Sequence, residues 1–175
     1  MTHPLLFLAP GASGNLATLR AWTKGLTDRG IHTRAVSLPR GSAERALPAY
    51  RAAAADEPTA FIGGHSFGGR VASLLAAERR VAGLILLCYP LHAPGAPERA
   101  AIRTVHWPSI SAPVLLLSGD RDPFARIELL RAAVRHLPQA ELVIYPGVGH
   151  GLAPVLDDAL DRVAGWIVRL ATLDR

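Results

Sequence analysis

A serine hydroxyl attacks well only when a neighbouring base takes its proton, and that base needs a third group to fix its tautomer. One serine of this chain sits in a setting suited to such activation, Phe61-Ile62-Gly63-Gly64-His65-Ser66-Phe67-Gly68-Gly69-Arg70. A β-prone run enters Gly-x-Ser-x-Gly, and a run of small residues from Val71 to Ala77 reads as a helix beyond it. A sharp strand-to-helix turn lifts the serine above the sheet edge, and small residues two before and two after it relieve the crowding. Gly64 and Gly68 hold those places, and the Phe67 N–H is expected on the same side as the serine oxygen. A plain glycine-rich turn or a phosphate loop is the competing reading. The chain lacks the Lys-Ser/Thr ending of a phosphate loop.

Two later segments supply candidates for the base and its partner. Ser118-Gly119-Asp120-Arg121-Asp122-Pro123 follows the apolar run Val114 to Leu117. An aspartate just beyond a strand end is well placed to orient an imidazole. Asp122 takes that role here, with Asp120 as the rival and helix capping as the structural alternative for Asp122. Tyr145-Pro146-Gly147-Val148-Gly149-His150-Gly151 places His150 between glycines that let a loop fold back across the strand ends. Of the seven histidines, His150 alone occupies such a post-strand loop after the acid. Developing charge on an attacked carbonyl needs amide donors. Phe67 is one candidate, and Ala12 in Pro10-Gly11-Ala12-Ser13-Gly14-Asn15 is the other.

Positioning these groups takes alternating strands and helices. Apolar runs without polar alternation predict strands at 5–9, 31–37, 59–63, 84–89, 113–118 and 141–145. Helical spacing predicts helices near 15–28, 43–55, 67–79, 124–136 and 154–171. Such alternation specifies a parallel sheet with helices on both faces, a three-layer α/β sandwich. Residues 90–112 break the rhythm with Pro90, Pro94, Gly95, Pro97 and Pro108, leaving at most a short helix near 98–104. One domain over 1–175 is expected.

Composition narrows the function. The net charge of +5 and a pI near 10.3 raise nucleic acid as a partner. The basic residues, however, are scattered arginines apart from Lys24, with Arg79-Arg80 the only adjacent pair. Cys88 is the only cysteine, which fits a reducing compartment. Neither a signal segment nor an apolar stretch of membrane-spanning length is present, so a cytoplasmic protein is expected. The isolated histidines and Gly119-Asp120-Arg121-Asp122 form no metal-ligand pattern, and no cofactor is expected.

With Ser66, Asp122 and His150 in that chain order, the sequence resembles the α/β-hydrolase superfamily over essentially its whole length. It is most similar to a lidless subgroup that includes bacterial predicted hydrolases and the vertebrate testis-expressed protein 30. Gly63 to Arg70, Tyr89-Pro90-Leu91-His92-Ala93-Pro94-Gly95 and Gly119 to Phe124 carry the likeness. Dienelactone hydrolases are more distant relatives with a cysteine nucleophile. The resemblance implies a sheet that begins at the superfamily's third strand and a site without a cap domain. Expected site walls are Ser13, His65, Leu91, His92, Trp107, Phe124 and Leu152. A small ester or related acyl molecule is the expected substrate. A non-catalytic interaction module on the same scaffold is the contrasting expectation.

Overall fold

Leu6-Phe7-Leu8-Ala9 and Leu84-Ile85-Leu86-Leu87 carry no polar alternation because both faces of their sheet are covered. The computed structural model describes residues 3–173, so residues 1, 2, 174 and 175 of the expected 1–175 domain lie outside the described residues. In chain order the elements are β1 (Leu5–Ala9), α1 (Arg20–Asp28), β2 (His32–Ala35), α2 (Ala43–Ala53), β3 (Phe61–His65) and α3 (Phe67–Glu78). There follow β4 (Gly83–Leu87), β5 (Val114–Gly119), α4 (Ile127–Val134), β6 (Ala140–Tyr145) and α5 (Leu156–Leu173). All strand pairs are parallel, in the order β2-β1-β3-β4-β5-β6.

Successive strand side chains leave opposite faces of a sheet. Phe7, Ala9, Ile62, Leu84, Leu86, Val114 and Leu116 pack with α2, α3 and α4 in one cluster. Leu6, Leu8, Phe61, Ile85, Leu87, Leu115 and Leu117 pack with α1 and α5 in the other. The fold is therefore the expected three-layer α/β sandwich on a six-stranded parallel sheet. Among the described residues nothing forms a cap domain, and no helix is long and apolar enough to cross a membrane.

The boundaries differ from expectation where loops act on them. β3 starts at Phe61 rather than 59 and runs through His65, which puts Ser66 directly at its end. α4 starts at Ile127 rather than 124, because Asp122 Oδ1 accepts the Phe124 N–H at 2.8 Å and holds 122–124 in a turn. Residues 90–112 contain only 3-10 turns, Pro97–Arg103 and Trp107–Ser109.

Tyr50 fastens α2 to the sheet under the serine turn. Its fully buried hydroxyl lies 2.8 Å from Phe7 O and 2.7 Å from Gly63 O, and accepts the Gly63 N–H at 3.0 Å. Burial raises its pKa, so it stays a neutral donor to one carbonyl at a time. Tyr50→Phe strands the Gly63 amide in a dry interior, so stability should fall by about 1–3 kcal/mol. A lower urea midpoint at an unchanged m-value is the expected signature; an unshifted midpoint would contradict this role.

Candidate active site

Ser66 holds φ 50 and ψ −115, a conformation side-chain-bearing residues rarely adopt. Its N–H donates to Leu87 O on β4 at 2.8 Å, and its carbonyl accepts the Arg70 N–H at 3.1 Å. The turn is so tight that side chains on the flanking glycines would collide with main chain. A Cβ on Gly64 would lie 2.6 Å from Gly69 N, and one on Gly68 would lie 2.5 Å from Pro10 O. This close approach explains the Gly-x-Ser-x-Gly spacing. Ser66 does not cap its own helix, so its hydroxyl is free for other partners.

The loop after β6 brings His150 to that hydroxyl, with Nε2 2.8 Å from Ser66 Oγ. On the other edge of the ring, Nδ1 lies 2.9 and 2.8 Å from the two oxygens of Asp122. An ionised carboxylate only accepts, so Nδ1–H donates to Asp122 and Nε2 is left to accept from Ser66. The Asp122 side chain has no exposure, whereas that of His150 retains 20%. Asp120, the rival acid, instead accepts the Gly147 N–H at 2.7 Å and so holds the histidine loop. Asp122 also makes the turn contact with Phe124, so its capping and orienting positions are compatible.

Residues 41–166 match the family described as Alpha/beta hydrolase domain. The chain belongs to this family. No curated protein matches the chain significantly by sequence. Among solved structures, the monoacylglycerol lipase of Paleococcus ferrophilus is similar at TM-score 0.82 and 15% identity, covering 95% of this chain and 94% of that one. Est1E from Butyrivibrio proteoclasticus gives 0.81 at 19% identity, covering 97% and 88%. A thioesterase domain from the curacin biosynthetic pathway gives 0.74 at 17% identity, covering 95% and 91%. At these identities the likeness is one of α/β-hydrolase fold.

The remaining expected site residues of this α/β-hydrolase-family chain divide into two groups. The Phe124 ring lies tilted against that of His150 with centroids 4.3 Å apart, and the His65 ring centroid lies 5.3 Å from that of His150. Ala12 and Ser13 are exposed on the loop after β1, where a Cβ on Gly11 would lie 3.9 Å from Ser66 Cβ. Neither the Ala12 nor the Phe67 N–H donates to another described residue. Leu91, His92, Trp107 and Leu152 depart from their expected place as walls. Leu91 and Trp107 are fully buried in the core, Trp107 edge-on to Tyr89 with centroids 5.0 Å apart. Leu152 packs beneath the site in the α5-side cluster. His92 has both ring nitrogens engaged, Nδ1 with Ala93 O at 2.8 Å and Nε2 with the Arg126 N–H at 3.0 Å. His92 thus has no ring nitrogen left for a ligand, whereas the buried Trp107 Nε1–H has no hydrogen-bond partner among the described residues. Arg40, by contrast, joins the site without any motif to mark it, donating from Nη2 to Ser13 O at 3.3 Å.

A cavity of about 970 Å³, whose lining includes Leu5, Glu57, Phe61 and Arg80, opens at the other end of the strands. Phe61 begins β3 and Ser66 follows its last residue, so about 16 Å of strand separates the cavity from the serine. Among the described residues no group of three or more His, Cys, Asp or Glu side chains could hold a metal.

Burial, with repulsion from His150 second, pushes the His65 pKa down to about 4. Burial does the same to His106, whose Nε2 lies 2.8 Å from Ser73 Oγ. An unfolded chain protonates both near pH 6.5 and the folded one only near 4, so the unfolded state binds more protons between those values. Their contribution is thus complete above pH 6.5 and is lost as pH falls to about 4. The loss should be about 1–3 kcal/mol for His65 and less for the better-hydrated His106. Urea midpoints measured between neutral and acid pH should fall, and His106→Gln should flatten the fall. An equally steep profile in the variant would rule out the assignment for His106.

Proposed function

We propose that this chain is a serine hydrolase that cleaves a small ester or related acyl substrate through an acyl-enzyme on Ser66. The continuous run of short bonds from Ser66 Oγ through His150 to Asp122 supports this reading best. In the first step His150 Nε2 takes the Ser66 proton as Oγ adds to the carbonyl carbon. The carbonyl electron pair moves onto oxygen, where the Ala12 and Phe67 amides donate to it. Each such donor is worth about 2.7–4 kcal/mol in the transition state. The N-terminal end of α3 adds partial positive charge at the same place. Collapse of the adduct breaks the bond to the leaving group, which receives the proton from His150. Water then loses a proton to His150 as its oxygen adds to the acyl carbon. Collapse of this second adduct breaks the bond to Oγ, which takes the proton back from His150 as the carboxylic acid leaves. Asp122 orients His150 and balances its charge throughout. No step draws on a metal or an organic cofactor.

The Tyr89–Gly95 stretch favours the lidless subgroup named by resemblance, with residues 90–112 where larger relatives insert a cap. Cys88 is buried, and a cytoplasmic setting suits this single cysteine.

A fluorophosphonate probe should label the native protein at Ser66, and Ser66→Ala should abolish the label. Folded protein that stays unlabelled and turns over no short 4-nitrophenyl ester would instead favour the non-catalytic module. Ser66→Ala and His150→Ala should each lower kcat by about 10⁴–10⁶. Asp122→Asn should be far more damaging than Asp120→Asn, which perturbs only the loop anchor at Gly147. The reverse ranking of kcat would exchange the two acids.

A further inference from the structure

Arg40 comes from the segment after β2 and is bonded to the Ala12–Ser13 loop through Ser13 O. It is exposed and has no carboxylate partner among the described residues. Its contact with Ser13 uses one of the five guanidinium N–H groups, leaving a fork of donors free. Across the site, Arg121 has its main-chain N–H on Val148 O at 3.0 Å, and Arg126 has its own on His92 Nε2. Both are exposed and, among the described residues, outside every ion pair.

Two exposed carboxylates stand among these cations, Asp120 beside Arg121 and Glu128 two residues after Arg126, and among the described residues neither is in an ion pair. Asp122 is buried against His150, and Glu44 is taken up by Arg70 at 2.9 Å. Asp120 is the one exposed carboxylate on the acid and histidine loops, and it is bonded to Gly147. Asp120 and Glu128 accompany Arg121 and Arg126 along the chain, which leaves Arg40, tied to the loop that adjoins the serine, as the cation with no carboxylate beside it.

Building on the serine-hydrolase reading, we propose that the site takes an ester whose acyl group ends in a carboxylate, with Arg40 as its principal contact. The acyl part stays on Ser66 through both steps, so a cation fixed to the adjoining loop aids acylation and deacylation alike. A carboxylate on the leaving group would gain in only the first. Solvent-exposed charges attract weakly and are screened by salt, so the preference should be modest and sensitive to ionic strength.

The test compares kcat/KM for mono-4-nitrophenyl succinate and for neutral 4-nitrophenyl butyrate, using the full chain. At low salt the ratio should favour the succinate half-ester by about fivefold or more. It should drop by about fivefold in Arg40→Gln, recover in Arg40→Lys, and fall as salt rises from about 0.02 to about 0.5 M. Arg80→Gln removes the same charge at the far end of the sheet and should leave the ratio as it was. A preference for butyrate at low salt, a ratio indifferent to Arg40→Gln, or an equal drop in Arg80→Gln would each overturn the proposal. In those cases butyrate turnover persists and the serine-hydrolase reading stands. Turnover of neither ester, with Ser66 unlabelled by fluorophosphonate, would bring down both.

Discussion

Ser66 is held in a backbone conformation that costs an L-residue about 1–3 kcal/mol, and the surrounding structure fixes it from several directions. Before the serine, the parallel ladder continues one residue past β3, since the Ser66 N–H reaches Leu87 O. After it, the Ser66 carbonyl starts α3 by accepting from Arg70. From the side, main chain of β1 and of α3 approaches so closely that neither Gly64 nor Gly68 has room for a methyl group. From behind, the Tyr50 hydroxyl fastens Gly63 to β1 and α2. Relaxing the turn would break several of these contacts at once. The serine hydroxyl accordingly stands at a fixed height above the sheet, where loops from β5 and β6 can meet it.

The neighbouring strand repeats the same backbone feature without the same chemistry. Cys88 follows β4 as Ser66 follows β3, also has φ 50, and donates its N–H to Leu117 O as Ser66 donates to Leu87 O. Its thiol, however, is enclosed by the α5-side core, and burial pushes its pKa up to about 12. A thiol so far from ionisation is a poor nucleophile. The contrast separates the turn from the function. A strained strand end presents a side chain, and only the groups around that side chain decide whether it can react.

The same separation explains what the sequence made legible. The six strands and five main helices follow from apolar periodicity, which is local and depends on two covered sheet faces. The serine turn was legible because steric crowding forces glycine at 64 and 68. The choice between Asp120 and Asp122 was not local: each lies just beyond β5, and only the folded loops send one to Gly147 and the other to His150. The segment 90–112 was harder still. Its prolines exclude long helices but say nothing of which side chains turn inward, so Leu91, His92 and Trp107 read as walls although all three are buried. Arg40 carries no local mark because its contact with Ser13 joins residues far apart in the chain.

Burial acts in opposite senses on the charged groups beside Ser66. Asp122 loses all contact with water but gains three hydrogen bonds from two donors, so its negative charge is compensated. His65 loses water with no comparable partner and is held neutral down to about pH 4. That neutrality matters for the proposed mechanism, in which His150 becomes a cation after taking the Ser66 proton. A protonated His65 would place a second cation with its ring 5.3 Å from that of His150. At the effective dielectric of a protein surface such a pair would repel by about 3 kcal/mol, comparable to the loss of an oxyanion donor. The burial that makes His65 costly in acid therefore leaves the imidazolium of His150 facing Asp122 with no competing positive charge from the residue before the nucleophile.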